Sequence, residues 1–190
     1  MSYLIATAGL ALAWIAQLYL VFPIEQVLRG DGSAVSAFSY LFLPHGAKVL
    51  IAVLLMQASI PVILIVSFGF GLFFGFAPDY ALYGAVVASA TAILPLWVVN
   101  LTLNRPLNFR VWSATRDSFK LFRFTFAISI AAALLNSMFQ AALAAVMLDV
   151  NTDIMLTIGF LIGDIIGGIV CIIAAVFGVS FALRRFGFAI

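Results

Sequence analysis

Long runs of apolar residues, separated by short polar stretches, cover almost all of this 190-residue chain. A helix needs roughly 20 apolar residues to cross the hydrocarbon core of a bilayer. Six runs are close to that length and each predicts a membrane-spanning helix: residues 3–22, 37–57, 60–76, 79–104, 124–148 and 154–182. The pattern predicts an all-α fold, a polytopic membrane helix bundle of about six transmembrane helices that forms a single domain over residues 1–190.

Prolines divide these runs. Pro23 is expected to end the first span, because proline lacks a backbone donor and its ring clashes with the preceding turn. Pro44-His45-Gly46 interrupts the middle of the second run, so the helix is expected to be broken at Pro44–Gly46. This leaves two interpretations: a re-entrant segment followed by a short helix from Pro44, or one span broken at the bilayer centre. Broken backbone at membrane depth is tolerated where it is buried in protein or lines a cavity.

Composition supports a membrane protein and excludes a nucleic-acid binder. Hydrophobic residues make up 66% of the chain and charged residues 8%, against about 25% charged residues in ordinary soluble domains. The net charge of +2 is too small to favour nucleic acid as a partner. Cys171 is the single cysteine and stands in an apolar run, so cysteine usage does not identify a redox compartment. The lipid bilayer is the first predicted partner.

The distribution of charge predicts the orientation. The segment 105–123 holds five basic residues and one acid, Asp117. Cytoplasmic loops of membrane proteins carry an excess of lysine and arginine, so this segment is predicted to be a cytoplasmic loop. Arg184 and Arg185, after the last run, fall on the same side by counting spans. Both termini are therefore predicted to be cytoplasmic, in an integral protein of a bacterial inner membrane.

Aromatic residues are interleaved with the basic residues of segment 105–123. We interpret Arg110, Trp112, Arg116, Lys120 and Arg123 as a membrane-surface or partner-docking set, because basic amphipathic helices bind anionic lipid or proteins. The alternative is an ordinary loop that only sets the topology.

Several polar residues fall inside the apolar runs. The candidates for a ligand site or polar cavity are His45, Lys48, Asn136, Gln140 and Asp164. Ionisable groups at membrane depth are costly and are functional candidates by default. If the second run is one broken span, Lys48 and Asp164 reach a similar depth and are expected to pair, since each relieves the desolvation cost of the other. The alternative to a cavity is a structural ion pair with interhelical hydrogen bonds that fix the bundle.

Glycines recur every fourth residue in the last run, at Gly159, Gly163 and Gly167. Such a stripe lets another helix approach closely, so we predict helix packing within the fold. Self-association of the chain is the alternative.

No residue pattern indicates catalysis, a cofactor or a metal. His45 is the only histidine, and no second histidine, cysteine or carboxylate stands at ligand spacing around it. No phosphate-binding or dinucleotide glycine pattern precedes a helix outside the apolar runs. We therefore expect no enzyme activity, no catalytic residues, no cofactor and no metal site.

Two short motifs resemble a known family. Leu43–Lys48 (LPHGAK), followed by an apolar helix, resembles the aromatic-Pro-x-x-Gly opening of the MASE1-type membrane sensor module. Gly163–Gly167 (GDIIG) is similar to the late Asp-x-x-Gly helix motif of that family. The resemblance covers about residues 35–180 and implies a membrane input domain. Family members usually carry Trp-Pro-Pro where this sequence has Leu43-Pro44-His45. They also usually have more spans than this sequence predicts and a fused output domain.

These observations predict a non-catalytic integral membrane module, MASE1-like, that senses a signal or anchors and regulates a partner. The partner, another membrane or cytoplasmic protein, is expected to carry the output, and a small-molecule ligand is a candidate. One alternative is a substrate-binding membrane subunit of a multi-component transporter, similar in architecture to energy-coupling-factor systems. The other is a structural accessory subunit of a larger membrane complex.

The predicted topology is tested by placing single cysteines at positions 32, 114 and 151 in a Cys171→Ser background. Positions 32 and 151 lie in the predicted outer loops, so a membrane-impermeant thiol reagent should label them in intact cells. Position 114 lies in the basic segment and should react only after the cells are permeabilised. Labelling of position 114 from outside would overturn the topology.

Overall fold

The computed structural model describes residues 2–29, 39–107, 118–148 and 154–186, and every regular element in those ranges is helical. A π-helical turn follows the first α-helix, and a 3₁₀ turn follows the third. In chain order the α-helices are α1 Ser2–Ala16, α2 Phe22–Arg29, α3 Leu43–Leu55, α4 Ile60–Phe73, α5 Pro78–Thr102, α6 Ser118–Leu148 and α7 Ile154–Phe186. The all-helical class predicted from the apolar pattern is confirmed.

The basic segment 105–123 is only partly covered. Arg110, Trp112 and Arg116 lie outside the described residues. Lys120 belongs to the first turn of α6, and Arg123 follows on the same helix with an exposed side chain. Because α6 begins at Ser118, the end of the predicted loop is helical.

The first span does not end at Pro23. The helix passes from α1 through the π-helical turn Gln17–Val21 into α2 and continues to Arg29. In this turn the N–H of Phe22 donates to the carbonyl of Gln17, five residues back. A π turn is a local widening of the helix, and it stands directly before the proline that would crowd a regular α-helical turn. The expected termination was therefore wrong.

By length and composition, the described residues contain five helical stretches able to cross a membrane: Tyr3–Val27, Leu43–Phe73, Pro78–Thr102, Phe122–Met147 and Thr157–Ala175. The predicted number of about six spans is not confirmed. The predicted second and third spans both fall in the second stretch. No polar loop divides it. α3 passes directly into the 3₁₀ turn Met56–Ser59, where a positive φ of 53° at Met56 breaks the α-helix before α4.

The break at Pro44 is the start of a helix. Residues 39–42 are not helical, and α3 begins at Leu43 with Pro44 in its first turn. Proline is well tolerated there because the first N–H groups of a helix have no intrahelical acceptor. α3 has 13 residues and is about 20 Å long, shorter than the roughly 30 Å hydrocarbon core. This arrangement agrees with a short helix starting at Pro44.

α3 lies at the centre of the bundle, in contact with α1, α5, α6 and α7. Its Val49 and Ala52 are fully buried and belong to one apolar core with Ala92 of α5 and Ile128 of α6. A helix surrounded by protein on so many sides can carry polar residues that lipid would exclude.

The directions of the helices follow from their contacts. Trp14 of α1 stacks on Phe70 of α4 and Phe22 meets Phe74, so the path from α1 to α2 runs parallel to α4. α4 and α5 are antiparallel neighbours joined by the turn at residues 74–77. α5 and α6 are antiparallel, since Gly84 lies near Leu143 while Thr91 meets Asn136. α6 and α7 are antiparallel too, since Ser129 lies near Gly168 while Asn136 meets Asp164. The start of α1 and the end of α7 therefore lie at the same end of the bundle.

The glycines of α7 face a non-helical segment of the chain. A Cβ on Gly163 would collide with the backbone carbonyl of Ser39, and one on Gly167 with the carbonyl of Phe42. The carbonyl of Gly163 also accepts the N–H of Phe42 at 2.9 Å. Gly159, a turn earlier, is buried. Gly163 and Gly167 thus admit residues 39–43 against the backbone of α7, and Gly167 also lies against Gly46 of helix α3.

A methyl group at Gly163 should therefore destabilise the protein. Gly163→Ala would displace Ser39 and the start of α3, with a cost of about 1–3 kcal/mol, the usual range for overpacking. Gly69→Ala on α4 is the matched control, because an added Cβ there meets nothing within 4 Å. Thermal unfolding in detergent should show a lower midpoint for Gly163→Ala alone; equal midpoints for both variants would contradict the close approach.

Candidate functional site

Four buried polar side chains from three helices meet in the middle of the bundle. His45 and Lys48 come from α3, Asn136 from α6 and Asp164 from α7, and none is more than 4% exposed. A fifth, Thr91 of α5, places its hydroxyl 3.2 Å from the amide oxygen of Asn136. We call these five residues the polar cluster.

Asn136 connects the two opposite charges of the polar cluster. Lys48 Nζ donates to Asn136 Oδ1 at 2.8 Å, and Asn136 Nδ2 donates to Asp164 Oδ2 at 2.7 Å. Within the described residues no direct ion pair joins Lys48 to Asp164. The expected pairing is therefore bridged by an amide, which satisfies a cation with its carbonyl and an anion with its N–H. Hydrogen bonds to charged groups are the stronger ones, at about 1.5–3 kcal/mol.

His45 is the basic side chain nearest to Asp164. Its Nδ1 lies 3.2 Å from Asp164 Oδ2, within ion-pairing distance but outside hydrogen-bonding geometry. Its Nε2 lies 3.4 Å from the carbonyl oxygen of Ser129. Both neighbours are acceptors, and a neutral imidazole has one N–H to donate. Across the described residues no group of three metal-ligating side chains occurs.

The local sequence of α3 explains how these side chains reach α6 and α7. Pro44 fixes the start of the helix, and His45 follows in the first turn. Gly46 allows close approach, because a Cβ there would lie 2.5 Å from the carbonyl oxygen of Gly167. Lys48 is three residues after His45, so both extend from the same face of α3. Pro44, His45, Gly46 and Lys48 thus each have a steric or polar reason for their residue type.

A second set of polar contacts holds the start of α3, and sequence reasoning missed it. Gln17 is fully buried; its Oε1 accepts the N–H of Leu43 at 3.0 Å and its Nε2 donates to Ser39 Oγ at 2.9 Å. Glu25 accepts the N–H of Leu41 at 3.0 Å and lies 2.8 Å from Ser39 Oγ. These contacts satisfy the non-helical backbone that membrane depth penalises. The signal was present, since Gln17 is an amide within an apolar run.

A cavity of about 230 Å³ opens beside the polar cluster. Its polar floor is formed by Lys48, Asn136, Gln140 and Asp164. Aromatic side chains from several elements form its wall: Trp14, Phe22, Phe42, Phe74, Phe76, Tyr80 and Phe160. The cavity extends to the turn between α4 and α5, where Phe76 is 41% exposed. Ligand pockets typically combine an apolar lining with a few convergent polar groups, as here.

The residues singled out from sequence divide into two groups. His45, Lys48, Asn136 and Asp164 lie together, and Gln140 lines the same cavity one turn further along α6. Gly163 and Gly167 contact residues 39–43 beside the cluster, while Arg123 lies on the exposed surface of α6.

Comparisons with protein-family models, curated proteins and solved structures find no match to this chain. The resemblance to the MASE1-type module stays a prediction.

The bridging role of Asn136 gives a direct test. Asn136→Leu keeps the size of the side chain but removes both hydrogen bonds, leaving Lys48 and Asp164 without their shared partner. We expect a loss of at least about 2 kcal/mol in the free energy of unfolding, since unsatisfied buried groups cost about 1–3 kcal/mol and charged groups more.

Gln140→Leu is the matched control, because Gln140 lines the same cavity but makes no hydrogen bond to the described residues. It should unfold close to wild type in the same denaturant titration. A Lys48→Met, Asp164→Asn cycle in the Asn136→Leu background should then show additive losses. Strong coupling between Lys48 and Asp164 without Asn136 would contradict the bridge.

Proposed function

We propose that this protein is a non-catalytic integral membrane module that binds a small molecule in its central cavity and regulates a partner protein. The observation that carries the proposal is the floor of the cavity, where Lys48 and Asp164 are buried on different helices and both line the same space. A charge at the centre of a membrane helix costs about 2.5–3.5 kcal/mol on insertion scales. A ligand site is the simplest use of such a pair beside an open cavity.

The proximity of the two motifs supports a MASE1-like sensing module. The segment Leu43–Lys48 and the segment Gly163–Gly167 are far apart in sequence but form one contact region. His45 lies beside Asp164, and Gly46 packs against the backbone of Gly167. Of the residues in the two motifs, Lys48 and Asp164 belong to the cavity floor, and Pro44 also lines the cavity.

The proposed orientation has both termini in the cytoplasm of a bacterial cell. The parallel directions of α1 and α4 support it, since the start of α1 and the end of α7 then share one end of the bundle. The basic segment between α5 and α6 belongs to that same end. The positive-inside rule makes it cytoplasmic, which orients the cavity mouth, at the turn between α4 and α5, toward the outside.

The partner is proposed to bind at the cytoplasmic end. Residues 105–123 and Arg184–Arg185 bring basic and aromatic side chains to that end in sequence. Arginine and aromatic residues are frequent at binding hot spots. An outward cavity and an inward docking surface would connect a ligand outside to a protein inside.

The proposal is tested by filling the cavity. Ser67 of α4 lines the cavity, so Ser67→Phe should occlude it. Leu82→Phe is the control, because Leu82 is 45% exposed on α5 and does not line the cavity. The proteins are extracted from native membranes into nanodiscs and denatured, and the released small molecules are identified by mass spectrometry. A compound present at near one per protein in wild type and Leu82→Phe should be absent from Ser67→Phe.

The partner is sought with the same variants in mild detergent. The regulated protein is the one whose co-purification changes in Ser67→Phe but not in Leu82→Phe. Equal release of small molecules from all three proteins, or release from none, would exclude the cavity as a binding site.

A further inference from the structure

We infer that the ligand of the cavity is a small zwitterion with an apolar body, of the type of a free hydrophobic amino acid. This inference rests on the proposed function and specifies the chemistry of the same site. It depends on which polar atoms of the cavity floor already have partners and on which remain available.

The cationic and anionic groups of the floor are each only partly satisfied. Lys48 carries three N–H donors, and one described acceptor, Asn136 Oδ1, takes one of them. Asp164 Oδ2 accepts from Asn136 and lies beside His45. For the other oxygen, Oδ1, no partner occurs among the described residues. Lys48 can therefore donate a further hydrogen bond to a molecule in the cavity, and Asp164 can accept one from it.

The bridge keeps these two charges from neutralising each other. Asn136 stands between Lys48 and Asp164, so they remain outside direct ion-pairing distance while lining one cavity. The floor thus offers an anion-binding group and a cation-binding group side by side. A ligand carrying a carboxylate and an ammonium on adjacent atoms matches both at once.

Ligands with a single charge fit this floor less well. An anion at Lys48 would also approach the carboxylate of Asp164, and repulsion is strong where water is largely excluded. A cation at Asp164 would meet the ammonium of Lys48 in the same way. Discrimination of this kind comes from the repulsive contact as much as from the attractive one.

The wall of the cavity selects the rest of the ligand. The ring centroids of Trp14 and Phe42 lie 5.3 Å apart in an edge-to-face arrangement, and those of Trp14 and Phe74 lie 5.6 Å apart. The three rings therefore form a continuous apolar surface. The cavity, at about 230 Å³, is below the ~300–1,000 Å³ of drug-sized sites. A molecule with one short apolar side chain is the appropriate size.

The test uses two sets of three matched compounds on the wild-type protein in nanodiscs. L-Leucine carries both charges, 4-methylpentanoate lacks the ammonium, and 3-methylbutylamine lacks the carboxylate; L-phenylalanine, 3-phenylpropanoate and 2-phenylethylamine form a second set. Binding is measured by isothermal titration calorimetry and by the shift of the thermal unfolding midpoint. At least one zwitterion should bind saturably and at least tenfold more tightly than either of its singly charged analogues.

Variants of the floor then assign the two charges. Asp164→Asn should weaken the zwitterion at least tenfold and improve binding of the matched carboxylate, while Leu82→Phe, which lies outside the cavity, should preserve the preference for the zwitterion. Should Asp164→Asn fail to fold, the comparison of the three compounds on wild type stands alone. A singly charged analogue that binds as tightly as the zwitterion would overturn the inference, and so would failure of both zwitterions. In either case a compound released from wild type but not from Ser67→Phe would still uphold the proposed function.

Discussion

The structure depends on one amide, Asn136, placed between a buried cation and a buried anion. Without it, Lys48 and Asp164 would each need water or each other in the low-dielectric centre of a membrane bundle. With it, three helices are connected by two short hydrogen bonds, and the position of α3 between α6 and α7 is fixed. The same bridge holds the two charges apart at the floor of the cavity. Stability and proposed binding therefore share the same atoms.

The membrane character and most of the site could be predicted from the sequence. Ionisable groups are so costly in lipid that His45, Lys48 and Asp164 stand out within apolar runs. Asn136 was recognisable as polar, but its position between two charges was not, because sequence gives approximate depth on a helix and no interhelical distance. The expected direct pair was replaced by a bridge for that reason.

The differences from expectation lie where the backbone departs from a regular α-helix. Pro23 does not end its helix, because a π-helical turn accommodates it, and such turns have no strong sequence signature. The glycines of α7 were assigned to helix packing, and Gly163 and Gly167 admit the non-helical residues 39–42 as well as the start of α3. The periodicity of a sequence identifies helices and the helix faces that carry small residues, but it does not identify which segment packs against them. The partners of a short extended segment depend on the whole tertiary arrangement.

The composition of α3 also constrains how the protein is made. This helix is too short to cross the hydrocarbon core alone, carries Lys48, and follows non-helical backbone whose N–H groups donate to Gln17, Glu25 and Gly163. The ribosome completes α3 well before it synthesises Asn136 of α6, which accepts a hydrogen bond from the lysine, and Asp164 of α7, which binds that amide. The nascent α3 must therefore remain near the membrane interface or within the insertion machinery. Membrane integration of the middle of this protein is complete only after its last helix has been inserted.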